Sequence, residues 1–355
     1  MNNTNEDKKV FETLNWKSII WPIIIGIAVV SFLISRDESF TKENLLLIKN
    51  VKPIGILGAI LMIFLRDFLY VYRIRLLVNK EIPWLNCFII IALWEFSSAV
   101  TPSVIGGGFV ASFLFLHEGI SFGRAIAYVM VTATFDNYFF LLVSPLSFIT
   151  SGINSKITES IFILSYIFIF FYSTIMTITL FYRPQFFGYL MNKITSIGFL
   201  KKYKEGAIRN GNEMIVASKV LKQQGLNFWI YILFITLITW ISRYVILNFL
   251  IGGFIDCSIE QHFNILCKHL IMWVTMLISP TPGGSGFIEY FFNDFYKDIL
   301  KDYTIIISIL WRLMTYYLYL ILGIIILPTW IKTFKNRKKT NNDNKKNDNE
   351  IDVSK

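Results

Sequence analysis

Long apolar runs separated by short polar segments make up most of this chain. The clearest cover residues 18–35, 54–78, 122–149, 157–182, 228–251 and 303–330. The stretch "IFILSYIFIFFYSTIMTITLFY" (161–182) carries no charge over roughly the 20 residues that cross a hydrocarbon core. Two further apolar stretches, 85–104 and 263–281, run straight into similar words, "AVTPSVIGGG" (99–108) and "ISPTPGGSGF" (278–287). Proline lacks an N–H and glycine loses the most backbone entropy in a helix, so each word is expected to end regular helix. The residues that follow, Phe109–Leu116 and Phe287–Phe292, are expected to start a second half-helix. The pattern predicts an all-α polytopic membrane protein of about six full spans plus two re-entrant broken hairpins.

Composition agrees with that reading. Hydrophobic residues are 54% of the 355 and charged residues only 16%, against about a quarter charged in a soluble domain. Mean hydropathy is +0.55. The net charge of +10 does not point to nucleic acid, because no nucleic-acid-binding signature accompanies it. Most of the excess lies beside apolar runs, where anionic lipid and topology selection account for it.

Lysine and arginine positions predict the orientation. The 183–227 loop holds Arg183, Lys193, Lys201, Lys202, Lys204, Arg209, Lys219 and Lys222, and the tail holds Lys332, Lys335, Arg337, Lys338 and Lys339. Both are expected inside the cell, as is the N-terminus with Lys8 and Lys9. The 252–261 connection has no Lys or Arg and is expected outside. An even number of crossings must then separate the 183–227 loop from the tail. Spans 228–251 and 303–330 supply two, so 263–300 dips in and returns to its own side. The same count makes 85–117 enter and leave on the cytoplasmic face, although Arg36, Lys42, Lys49 and Lys52 weigh against an outer 36–52 loop. Hairpins entering from opposite faces define an inverted-topology repeat. The division expected is an N-terminal segment 1–17, a first membrane repeat 18–182, a connector 183–227, a second repeat 228–330 and a disordered tail 331–355. Within the connector, amphipathic stretches are expected near 185–198 and 204–224, lying on the inner membrane surface.

Charges inside the spans are the candidate chemistry: Arg66, Asp67, Glu95, Asp136, Arg243, Glu289 and Arg312. A charge at the bilayer centre costs roughly 2.5–3.5 kcal/mol on insertion scales, so such residues face the bundle interior and pair, or line a path. Arg66 and Asp67, being adjacent, are expected to seek different partners, and Asp136 is a candidate partner for Arg243. Arg73 and Arg75 lie near a helix end, where snorkelling anchors are ordinary. Structural ion pairs within the bundle are the alternative for any one of these charges. A half-helix N-terminus near the midplane suits an anionic group such as a lipid phosphate; close helix packing at glycine is the alternative for either word. Cys87, Cys257 and Cys267 form no CxxC pair and read as buried small residues. His262 and His269 share a helix face near Cys267, but no carboxylate completes a metal set, and neither metal nor cofactor is expected.

The words "YRIRLL" (72–77), "WEFSSAVTPSVIGGGFVASFLFLHEGISFGRAIAYVMVTATFDNYFF" (94–140) and "MWVTMLISPTPGGSGFIEYFF" (272–292) resemble the flippase-like transmembrane family. That family includes the membrane half of lysylphosphatidylglycerol synthases, the multiple peptide resistance factors. The resemblance covers roughly 51–330 and implies a multi-pass protein of the bacterial inner membrane, with a two-repeat helical fold that moves or handles polar lipids. Residue by residue it highlights Arg73 and Arg75, then Thr101, Pro102, Gly106, Gly107 and Asp136, and in the second word Pro280, Thr281, Pro282, Gly283, Gly284, Gly286 and Glu289. Where the resemblance implies an acidic residue and then an arginine after the first glycine pair, Gly108, Phe109, Val110 and Ala111 stand instead, so the headgroup contacts are expected to differ. No aminoacyl-transferase domain follows the last span, and synthase activity is not expected. Membrane lipids are the expected partners, the lipid anionic or aminoacylated; a homo-oligomer or a partner synthase fits the same reading. An intramembrane lipid-linked transferase and a nonenzymatic accessory subunit are the competing functions.

Overall fold

The computed structural model describes residues 46–101, 103–153, 155–196, 201, 204–277 and 287–332, apart from the side chains of 103–106, 190, 191, 194, 287 and 289. The 18–35 run, Arg36, Lys42, Pro102, the second word from Pro280 to Gly286, the side chain of Glu289 and the tail fall outside that description. The described residues contain helices and no strand. In order they are α1 (Pro53–Leu77), α2 (Trp84–Val100), α3 (Ser103–His117), α4 (Phe122–Ser151), α5 (Lys156–Thr177), α6 (Gln185–Thr195), α7 (Lys204–Lys222), α8 (Leu226–Phe254), α9 (Ile259–Met276), α10 (Phe287–Leu300) and α11 (Thr304–Arg312). Helix α11 passes through a π-turn, Leu313–Tyr317, and continues as helix over 318–332.

Five segments are long and apolar enough to cross a membrane: Pro53–Leu77, Phe122–Ser151, Lys156–Tyr182, Leu226–Phe254 and Tyr290–Lys332. Each contains one of the apolar runs. The last is longer than expected, because α10 joins α11 through a single tight turn, Lys301–Tyr303. The connector carries helices α6 and α7 where its two amphipathic stretches stand, and α7 packs against α4. The first word departs from expectation. Helix α2 ends at Val100 and α3 begins at Ser103, so Gly106, Gly107 and Gly108 lie in the opening turns of α3 rather than in the break. Thr101, the residue that caps α2, is extended. Gly107 is helical, and its missing side chain fits the tight hairpin: a Cβ there would overlap the Ser98 side chain.

Two large apolar cores build the bundle, beside a small one of Phe96, Ala99, Tyr317 and Leu320. One gathers the end of α1 with α2, α3, the first half of α4, and α7. The other gathers α9, α10, α11, the second half of α8 and residues such as Phe139 and Phe140 of α4. Helices α1 and α8 run against each other across both. They meet closely at Gly55 and Gly253, where a Cβ on Gly55 would stand 2.5 Å from the Gly253 Cα. Without a hydrophobic drive between helices in lipid, such small-residue contacts let backbones approach and gain dispersion energy. There the Lys52 N–H donates to the Gly253 carbonyl at 2.7 Å.

Helix α4 contains Pro145, which removes one N–H and frees the carbonyl four residues back. That carbonyl belongs to Leu141, and the Tyr166 hydroxyl of α5 donates to it at 3.2 Å. A neighbouring helix thereby supplies what water cannot inside hydrocarbon. Helix α9 starts with a reciprocal cap. Ser258 Oγ accepts from the Gln261 N–H at 3.2 Å, and the Ser258 N–H donates to Gln261 Oε1 at 2.8 Å.

Candidate functional site

Helical spacing places Arg66, Tyr70 and Arg73 on one face of α1, and Thr236, Trp240 and Arg243 on one face of α8. The two faces meet inside the bundle, and Arg73 and Arg243 take carboxylates from other helices. Arg73 Nη1 donates to Asp136 Oδ1 of α4 at 2.6 Å and to Thr236 Oγ1 at 2.9 Å, while Nη2 reaches Oδ2 at 3.2 Å. The Trp240 indole N–H adds a third donor to Asp136, at 2.9 Å. Arg243 Nη2 donates to both oxygens of Glu95 on α2, each at 2.7 Å. Its guanidinium also lies over the rings of Trp273 (4.8 Å) and Trp240 (5.2 Å).

These pairings revise three expectations. Asp136 takes Arg73, not Arg243, and α8 reaches the same carboxylate through Trp240 while its Arg243 turns to Glu95. Arg73 is no snorkelling anchor: its side chain is 0% exposed. Arg66 and Asp67 do not part. The Arg66 side chain curls back on its neighbour, with Nε and Nη2 at 3.0 and 2.7 Å from Asp67 Oδ1. Tyr319, from the continuation of α11, closes the group by accepting from Arg66 and donating to Asp67 Oδ2 at 2.6 Å. A long side chain can double back where two short ones could not.

The Arg73–Asp136 and Arg243–Glu95 pairs open onto one cavity of about 550 Å³, walled mainly by apolar and aromatic side chains such as Tyr70, Trp94, Phe140 and Trp273. A second, smaller cavity of about 120 Å³ lies against it and is lined by Arg312, Trp311, Tyr316 and Tyr319. Glu95, Arg243 and Trp273 line both, so the ion pair stands in the wall between them. The first word reaches this place as well. Ser98, Thr101 and Gly108 line the large cavity, and Thr101 holds its hydroxyl on the Ser97 carbonyl at 2.7 Å. The chain enters the second word from Met276 and Leu277, which line the large cavity, and Ile288 just beyond it lines the small one.

Other candidates lie elsewhere. Arg75 donates to the Ile82 carbonyl and sits over the Trp84 ring at 4.9 Å, away from both cavities. His269 and His262 do not converge: His269 contacts the Tyr244 carbonyl, and His262 accepts its neighbour Asn248. The residues that the apolar pattern hid are Tyr70, Thr236, Trp240, Trp273 and Tyr319. The signal for Tyr70, Thr236 and Trp240 was the i, i+4, i+7 spacing with Arg66, Arg73 and Arg243; Trp273 and Tyr319, on other helices, had no such signal.

A bundle of membrane-length helices enclosing paired charges in an apolar-walled cavity defines a multi-pass membrane protein with an intramembrane polar site. Residues 19–323 match the lysylphosphatidylglycerol synthase transmembrane region, and the chain belongs to that family. It is also similar to a UPF0104 membrane protein of Archaeoglobus fulgidus, 21% identical over 318 residues, which span 85% of this chain and 94% of that one.

Proposed function

We propose that this protein carries the polar headgroup of a membrane lipid between leaflets, the acyl chains staying in the surrounding bilayer. The observation that carries the reading is the placement of two hydrogen-bonded ion pairs, Arg73–Asp136 and Arg243–Glu95, around one 550 Å³ cavity within membrane-length helices. Four buried charges are an expensive way to glue helices, because a well-packed apolar core is often as stable. Charges that line a cavity have a second use: they replace the hydration shell of a headgroup and lower its barrier to crossing. The family's association with a lipid synthase supports a lipid as the cargo.

In this reading the two Thr-Pro words belong to re-entrant hairpins of an inverted repeat, and rocking of one half against the other alternates access. No covalent step on the lipid is needed. The protein sits in the cytoplasmic membrane with both termini inside, as its Lys and Arg positions favour. Reconstitution tests this directly. Vesicles carrying the protein are expected to expose inner-leaflet, tail-labelled phospholipid to an impermeant quencher at least ten times faster than empty vesicles. Equal rates would remove the reading.

A further inference from the structure

The charges around the large cavity balance. Among the described residues its lining holds two arginines, Arg73 and Arg243, and two carboxylates, Glu95 and Asp136, and no other ionised side chain. They are not equally presented. Asp136 and Glu95 side chains are 20% and 21% exposed, whereas their partners Arg73 and Arg243 are 0% and 11%. A group entering the cavity therefore meets carboxylate oxygens first, with guanidinium nitrogens behind them.

We infer that the headgroup taken here is zwitterionic, a phosphate bearing a primary ammonium, of the phosphoethanolamine kind. The inference rests on the transport reading above and narrows its cargo. In such a low-dielectric place every charge must keep a partner, since stranding one is strongly unfavourable. A zwitterion satisfies this by exchange: its ammonium takes a carboxylate as its phosphate takes the released guanidinium. The number of ion pairs is unchanged at each stage. A purely anionic headgroup would occupy an arginine and leave Asp136 or Glu95 without a cation.

The ammonium is a primary one because the polar groups the cavity presents first are carboxylate oxygens, which need N–H donors that a quaternary amine lacks. Trp240 and Trp273 face the Arg243 guanidinium, and the exposed sides of Asp136 and Glu95 keep lone pairs for an entering N–H donor. The volume is also appropriate. At about 550 Å³ the cavity is within the roughly 300–1,000 Å³ of small-ligand pockets, enough for a headgroup and not for a diacyl lipid.

The test uses the full chain in phosphatidylcholine vesicles with trace tail-labelled phosphatidylethanolamine, phosphatidylglycerol or phosphatidylcholine. Phosphatidylethanolamine is expected to cross at least tenfold faster than either of the others. Phosphatidylglycerol or phosphatidylcholine crossing within threefold of it would overturn the inference while leaving transport intact. If none of the three outpaces empty vesicles, the transport reading fails and this inference with it. Asp136→Asn should shift the preference toward phosphatidylglycerol, since it leaves Arg73 to an anion. Glu95→Gln, which frees Arg243 likewise, gives the same test if the first variant does not fold. An unchanged lipid order in a folded variant would overturn the role given to the carboxylates. Soluble glycerophosphoethanolamine at millimolar concentration should slow transport less than twofold; complete block at micromolar concentration would assign the site to a soluble ester instead.

Discussion

Arg243 holds both carboxylate oxygens of Glu95 at 2.7 Å, from a position 148 residues further along the chain, and this pair separates the two cavities. One contact thus ties α8 to the α2–α3 hairpin and stands between two chambers.

Removing one member of the pair should harm the fold more than removing both. Arg243→Met alone strands Glu95 and is expected to lower stability by about 3–5 kcal/mol. The double variant Glu95→Leu with Arg243→Met should recover a large part of that loss. Thermal unfolding in one detergent compares them, and transport should be absent from both.

Trp240 donates to Asp136 alongside Arg73. Trp240→Phe keeps most of the ring packing and loses this donor, an expected destabilisation of about 1.5–3 kcal/mol for a bond to a charged group. A midpoint that does not move would show that Asp136 finds a replacement donor.

The Pro145 site makes a sharper case. Tyr166→Phe deletes only the hydroxyl that satisfies the Leu141 carbonyl, and should cost about 1–3 kcal/mol for a buried acceptor left without its donor. Pro145→Ala restores an N–H to the helix, so the double variant should lose little.

At the crossing of α1 and α8, Gly55→Leu would drive a side chain into the Gly253 backbone. Overpacking of this kind costs about 1–3 kcal/mol or more. Gly188, on α6, meets nothing within 4 Å where a Cβ would stand, so Gly188→Ala serves as the tolerant control in the same unfolding assay.

Cys257 lies half-buried in the short connection between α8 and α9, and its thiol is pushed above the usual cysteine value, first by burial and then by the neighbouring Asp256 carboxylate. The thiolate is the reactive form. Labelling by an impermeant maleimide should therefore be slow at pH 7 and rise close to tenfold per pH unit toward pH 9. Asp256→Asn should speed it at neutral pH. Because Cys87 and Cys267 are buried, the signal reports one loop. Labelling of intact cells, as the absence of Lys and Arg there predicts, places that loop outside.

What the sequence by itself determined is local. Runs of apolar residues long enough for a bilayer must form helices, because no other single segment satisfies its own backbone there, and α1, α4, α5, α8 and α11 lie on those runs. Buried charges such as Glu95, Asp136 and Arg243 were visible from their position within apolar stretches. The tertiary structure alone decided which charge meets which. Sequence spacing specifies where a residue sits around its own helix, but the Arg73–Asp136 contact depends on how α1 crosses α4, and Arg243–Glu95 on how α8 crosses α2. Those placements depend on tertiary packing, such as that of α1 on α8 at Gly55 and Gly253, over distances that chain order does not encode. For the same reason Gly107, read as a helix breaker, is a packing residue inside a helix: its neighbour Ser98, across the hairpin, leaves room only for hydrogen.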